Sequence, residues 1–265
     1  MAGPAPAALL PGLATECVAP PSWRLIEFIS DTHLQAEDPA TAQAWLRHLG
    51  STQADALFLL GDVFEVWVGD DLLGHDPFID GCALALHRLS QRCALFFLHG
   101  NRDFLAGPGL MQACGAQMLA DPCVLVLGTQ RVMLSHGDAL CLDDGDYLAF
   151  RAQVRSSAWQ EDFLARPLAE RMDVARALRA QSKAQHGERL AQGRGYSEVD
   201  NTAARQALTQ ARSKLLIHGH THRPQGHDLG TGLRREVLSD WDLGATPPPG
   251  PRCCSSMPTT QATGT

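Results

Sequence analysis

Seven residues of metal-ligand type stand at the ends of five short apolar runs. Asp31 and His33 end "RLIEFISDTHL", Asp62 ends "DALFLLGDVFE" and Asn101 ends "CALFFLHGNRDF". His136 ends "QRVMLSHGDAL", and His218 and His220 end "KLLIHGHTHRP". Carboxylate, amide oxygen and imidazole without thiolate suit a hard to borderline divalent ion, Mn2+ first, with Fe2+ and Zn2+ as alternatives. Seven ligands are too many for one four-coordinate site but suit two ions about 3.5–4 Å apart that share a carboxylate. Such a pair brings the pKa of a bridging water toward neutrality and draws charge off phosphoryl oxygens, which is the chemistry of phosphoester hydrolysis. Neutral imidazoles hold the metal without adding negative charge that would repel an anionic substrate.

The spacing adds detail. Residues two apart in an extended segment face the same side, so His218 and His220 reach one centre while Gly219 lets the backbone approach. His222 continues the alternation into a turn, where it fits a supporting contact or a phosphate contact as well as metal, and it is not assigned to metal. Arg102, beside Asn101, offers a planar fork suited to a phosphoryl oxygen and to transition-state charge. Its plainer alternative is an ion pair with Asp103.

The elements that must position these residues follow from the same runs. Short apolar stretches closed by Gly, Asp or Asn predict buried strands ending in loops, with helices over 41–53 and 80–92 between the first three. The order β, α, β, α, β predicts parallel strands with helical crossovers. In such sheets ligands collect beyond the carboxyl ends of the strands, so the seven residues are expected to meet. Residues 148–195 differ, with helical spacing (Phe150 with Val154, Trp159 with Phe163, Leu164 with Leu168 and Met172) and no strand signal. This reads as an inserted helical lid. Residues 151–194 carry nine Arg or Lys against five Asp or Glu, in a chain of net charge −7. That contrast fits either a solvated helical face or a cationic patch for an anionic lipid or phosphate.

Residues 1–22, rich in Pro and Ala, are expected to form a flexible extension, and 247–265, rich in Pro, Ser and Thr, a disordered tail. The domain between them spans 23–246. Net acidity argues against a nucleic-acid partner. Eight cysteines without a CxxC pair suggest a reducing cytosol. The N-terminus makes a poor signal peptide, and no run approaches the ~18–20 apolar residues of a membrane span.

The ordered set D-x-H, G-D, G-N-R-D, H-G-D and G-H-x-H over residues 24–245 resembles the calcineurin-like metallophosphoesterase family. That resemblance implies an α/β fold, a four-layer αββα sandwich of two mixed sheets flanked by helices. It also implies that Asp31, His33, Asp62 and His220 hold one ion, and Asp62, Asn101, His136 and His218 the other. The fuller stretches "GDVFEVWVGDD", "HGNRDF", "HGDALCLDDGDY" and "IHGHTHRP" resemble members that hydrolyse the pyrophosphate of UDP-2,3-diacylglucosamine in lipid A biosynthesis. By that likeness Asn101 and Arg102 are catalytic, and Asn101, Arg102, Asp144, Ser182 and His218 contact substrate. The helical insertion would form the acyl-chain cleft. Where those members show Asn and Lys after the serine, this chain has His186 and Arg189, with Arg189 a candidate replacement contact. The resemblance further implies a monomer, peripheral on the cytoplasmic face of the inner membrane. Competing readings are a broader phosphodiesterase or nucleotide-sugar hydrolase, a nuclease, and a scaffold that has lost its ligands; here all seven ligands are present.

Overall fold

Alternate residues of each apolar run face opposite ways, and that alternation builds the layers. The structure is a computed structural model, which describes residues 15–191 and 197–243 and the backbone of 255–258. The chain begins with β1 (Glu16–Val18), β2 (Leu25–Ile29), α1 (Pro39–Ser51), β3 (Ala56–Leu59), α2 (Pro77–Ser90), β4 (Ala94–Leu98), α3 (Pro108–Cys114) and β5 (Ala116–Leu119). It continues with β6 (Cys123–Leu127) and β7 (Gln130–Ser135), then the lid helices α4 (Gly145–Val154), α5 (Ser157–Leu164) and α6 (Leu168–Ala191). Last come α7 (Asn201–Gln210), β8 (Leu215–His218), β9 (Gly226–Gly230), β10 (Leu233–Val237) and β11 (Ser255–Pro258).

One sheet has the order β11-β2-β3-β4-β5, with β2 to β5 mutually parallel. The other, β1-β6-β7-β8-β10-β9, is mixed, with β7, β8 and β10 parallel. Ile29, Leu57, Leu59 and Phe97 face α1, α2 and α3, while Phe28, Phe58, Leu60 and Leu98 face the second sheet. Leu125, Leu134 and Ile217 meet them there, and Met133 and Leu216 turn outward onto α7. The result is helix, sheet, sheet, helix. Phe28, Phe58 and Phe96 are paired in register on three strands, with ring centroids 5.5 and 4.5 Å apart, a stack between the sheets. Each such aromatic pair contributes about 0.5–1.5 kcal/mol beyond its buried area.

The helices start where the sequence supplies caps. Asp38 accepts from Thr41 N, Asp76 from Phe78 N and Asp144 from Tyr147 N, each ahead of α1, α2 and α4. An acidic N-cap satisfies an orphan N–H and favours the positive end of the helix dipole. The lid therefore begins at Asp144, a few residues before the expected 148. It is anchored by apolar packing of Phe163, Leu168 and Met172 on the first core. It is also anchored by Arg171, whose buried guanidinium reaches Arg166 O, Val68 O and Asp71.

Two expectations about the ends need correction. β1 pairs parallel with β6, so residues 16–18 are a strand and not part of a flexible extension; residues 1–14 lie outside the described ones. β11 pairs antiparallel with β2, so residues 255–258 of the tail form an edge strand, and the rest of the tail lies outside the described residues. An open sheet edge offers a row of unpaired N–H and C=O groups that even a polar segment can satisfy.

Candidate active site

β2, β3 and β4 of one sheet and β7 and β8 of the other all end at the same rim. There the backbone does something unusual. Asp31, His33, Asp62 and His220 have φ of 53°, 44°, 52° and 70°, and His222 has 53°. A non-glycine residue in this left-handed region costs on the order of 1–3 kcal/mol and persists where surrounding structure over-determines it. Here the determinants are visible. His33 N donates to Asp62 O at 3.0 Å, Asp31 N to Gly61 O at 3.1 Å, and His220 N to both Asp31 oxygens at 3.1 and 3.0 Å. Glycine is required at two crossings, because a Cβ on Gly100 would fall on Asp62 and one on Gly219 would fall on Asp31.

Six of the seven predicted ligands meet. Asn101 Oδ1 lies 3.0 Å from His136 Nε2 and 3.0 Å from His220 Nδ1. Asp62 Oδ2 lies 3.7 Å from His136 Nε2 and 3.9 Å from His33 Nε2. His222 joins them, 3.2 Å from His33 Nε2 and 3.5 Å from Asp31 Oδ1. Two sets have ligand atoms all within 4.8 Å of one another: Asp31, His33 and His222, and Asp31, Asp62 and His136. Asp31 belongs to both sets, Asp62 Oδ2 lies near a histidine of each, 3.9 Å from His33 and 3.7 Å from His136, and His222 stands in the first set.

His218 departs further. It is fully buried, its Nδ1 donates to Gly219 O at 2.8 Å, and its Nε2 lies 3.2 Å from the buried Arg235 guanidinium. Among the described residues it makes no hydrogen bond or ring contact with the other six. The Nδ1 proton is thus committed to a carbonyl, which leaves Nε2 as the ring's acceptor atom, facing Arg235.

The electrostatics fit a cation. Burial opposes protonation of His136, but Asp62, Asp31, Asp138 and Asp121 overcome it and raise its pKa to about 9. Burial likewise opposes His222, which Asp240 and Asp31 raise to about 10. Burial pulls His33 down, His218 to about 3 and His220 to about 4, leaving neutral imidazoles. Burial would push the Asp31 carboxyl up, yet His222, His136 and His33 hold it well below the usual range. Carboxylates that attract protons this strongly, beside neutral ring nitrogens and an amide oxygen, form a donor set for divalent ions.

Neighbouring residues explain the order of the loops. Asp103 is buried and accepts Val63 N at 2.7 Å, Gly100 N at 2.8 Å and Asp62 N at 3.3 Å, stapling two ligand loops together. It is therefore not the ion-pair partner of Arg102. Arg102 N donates to Asp62 Oδ1 at 2.7 Å, while its buried side-chain Nε has no hydrogen-bond partner. Glu65, missed in the sequence, has Oε2 2.9 Å from His33 Nδ1, though not aligned for a hydrogen bond, and contacts Arg179 of the lid. Tyr147 stacks near His220 at 6.1 Å, which brings α4 to the rim as well. Of the remaining expected contacts, Asp144 is the α4 cap and Ser182 is exposed on α6. The side chains of His186 and Arg189 lie outside the described residues.

Residues 26–224 match the profile of calcineurin-like phosphoesterases. The chain belongs to that family. Similar members include "UDP-2,3-diacylglucosamine hydrolase" of Chromobacterium violaceum, 43% identical over 224 residues, covering 83% of this chain and 91% of that one. The protein of the same name from Xanthomonas axonopodis pv. citri is 44% identical over 225 residues, covering 81% and 90%. Among solved structures, a novel archaeal phosphodiesterase is 10% identical, covering 88% of this chain and 99% of that one, with a TM-score of 0.41.

Proposed function

We propose that this phosphoesterase hydrolyses the pyrophosphate bond of UDP-2,3-diacylglucosamine, releasing UMP and 2,3-diacylglucosamine 1-phosphate (lipid X), with two Mn2+ ions. The observation that carries the reading is the contact of ligand atoms from five strand ends at one rim, beside a lid of three helices. When bound, a pair of divalent ions supplies Lewis acidity, acidifying water and withdrawing charge from phosphoryl oxygens.

The chain's own residues do the rest. Asp31, His33, Asp62, Asn101, His136, His218 and His220 supply the donor atoms, with His222 beside His33 and Asp31, and Asp103 keeps the Asp62 and Asn101 loops in register. Arg102, its Nε without a partner, is available to a non-bridging phosphoryl oxygen and to the charge that grows in the transition state. Attack is taken to occur at the phosphorus nearest uridine. On the lid, Phe150, Leu164 and Leu178 are exposed apolar side chains, of the kind that suits acyl chains. No described helix is long and apolar enough to cross a membrane. We place the protein as a monomer, peripheral on the anionic cytoplasmic face of the inner membrane, without a nucleic-acid partner.

The test is UMP release from UDP-2,3-diacylglucosamine with Mn2+. Asp62→Ala is expected to lose activity by several orders of magnitude while its circular dichroism and melting curve stay close to wild type. Efficient hydrolysis of small phosphodiesters with no turnover of the lipid substrate would point instead to a broader phosphodiesterase.

A further inference from the structure

Gly100, the residue before Asn101, is gripped on both sides. Gly100 N donates to Asp103 Oδ1 at 2.8 Å, from its own loop. Gly100 O accepts from Arg155 Nη2 at 2.8 Å, and Arg155 is the C-cap residue of lid helix α4. The same nitrogen lies 3.6 Å from Asp138 Oδ2, and the guanidinium lies 5.8 Å from the centroid of Phe104.

Asp138 is fully buried two residues after the ligand His136. Its Oδ2 also accepts from Tyr147 OH at 2.6 Å and from Arg151 Nε at 2.8 Å. Tyr147, Arg151 and Arg155 are spaced four apart, so they descend one face of α4. Three donors from one helix thus converge on a carboxylate beside one ligand loop, and the last also holds the backbone of another. No apolar packing demands this arrangement, since all three tips are polar and the carboxylate they meet is costly to bury.

We infer that Arg155 is a positioning residue for the metal centre, bridging the Gly100–Asn101 loop and the His136–Asp138 loop, so that their spacing depends on α4 being docked. The inference rests on reading the rim as a two-ion site but not on which phosphoester is cleaved. Docking of the lid and affinity for the ions are then linked, and linkage is reciprocal. Lysine does not substitute, because its ammonium ends short of Nη2 and lacks the planar guanidinium that lies over Phe104.

The experiment is a Mn2+ titration of the metal-free full-length chain by calorimetry, with electron paramagnetic resonance to follow spin coupling between the two ions. Wild type, Arg155→Met and Arg155→Lys are compared at a temperature where each is fully folded. Arg176→Met is the control, because among the described residues Arg176 forms only an exposed pair with Asp173 on the same lid. Both Arg155 variants are expected to bind Mn2+ about 10–100-fold more weakly and to lose spin coupling, as losses of supporting partners do at metal sites. The control stays at wild type. A lower melting temperature with unchanged Mn2+ affinity and coupling would mean that Arg155 serves stability alone, which overturns the inference. Full affinity in Arg155→Lys overturns it too, and that variant carries the comparison if Arg155→Met does not fold. A wild type that takes up no Mn2+ would remove the metal-centre reading and this inference together.

Discussion

Asp103→Ala tests the staple between the ligand loops. The wild-type carboxylate is fully buried and accepts three backbone N–H groups at 2.7, 2.8 and 3.3 Å. Alanine leaves all three without their acceptor. A buried donor stripped of its partner costs about 1–3 kcal/mol, so two short bonds and one long one amount to about 3–6 kcal/mol. That is a large share of the ~5–15 kcal/mol that stabilises a typical domain. The pH dependence supplies an independent check. Burial, and then the neighbouring Asp62 charge, push the Asp103 carboxyl up to about 6, above the 3.8 of an ordinary aspartate. The folded chain therefore takes up this proton before the unfolded chain does, and wild type gains stability as pH falls from 6 toward 4. Alanine lacks that gain, so the gap between the two proteins widens by about 1 kcal/mol per pH unit in that window. Urea unfolding of both metal-free proteins at pH 7 and pH 5, with the m-value held as a check on the unfolded state, measures it. A gap under 1 kcal/mol at pH 7, or one that narrows at pH 5, would refute the reasoning.

Three further outcomes are expected. Exhaustive chelation abolishes hydrolysis, and restoring Mn2+ raises the melting temperature with metal concentration, by about 3 kcal/mol of stability per site at 100 times the dissociation constant; turnover that survives chelation would refute the metal reading. The metal-free protein loses stability as pH rises from about 6.5 toward 10, because the folded chain holds the His222 proton to about 10 and the unfolded chain releases it near 6.5; His222→Gln should flatten that limb in thermal melts. Burial pushes the thiols of Cys82, Cys93, Cys114 and Cys141 to about 12, so mass spectrometry of the folded protein treated with a thiol reagent should find them unlabelled, with half-buried Cys17 labelled first among the described cysteines.

How much of this was legible in the chain depends on whether the cause was local. The strands that end in Asp31, Asp62, Asn101, His136 and His218 are short apolar runs bounded by polar residues, and period-two alternation divides their side chains between cores. Both signals lie within about ten residues, so the strands and their shared rim could be read, while the two-sheet layering entered only with the family resemblance. The left-handed turns at Asp31, His33, Asp62 and His220 could not, because they are imposed by hydrogen bonds between loops far apart in sequence, such as His220 N to the Asp31 carboxylate. Asp103 misled for the same reason, since it adjoins Arg102 in sequence while two of its three partners lie some forty residues away on the Asp62 loop. The engagement of His218 by Arg235 depends on the pairing of β8 with β10, which no local pattern fixes. His222 did carry a signal, the third member of an H-x-H-x-H alternation, and the turn that holds it at φ 53° returns it to Asp31.

The distance along the chain between Asp31 and His220 has a bearing on how the protein is made. These two halves of one site are separated by 189 residues. A ribosome that has delivered Asp31, His33, Asp62 and Asn101 has delivered only scattered oxygen and nitrogen donors, and His136 still leaves the cage open. The last imidazoles lie beyond β8, so the full donor set cannot close until that strand has been made. A product truncated before His220 would then be inert.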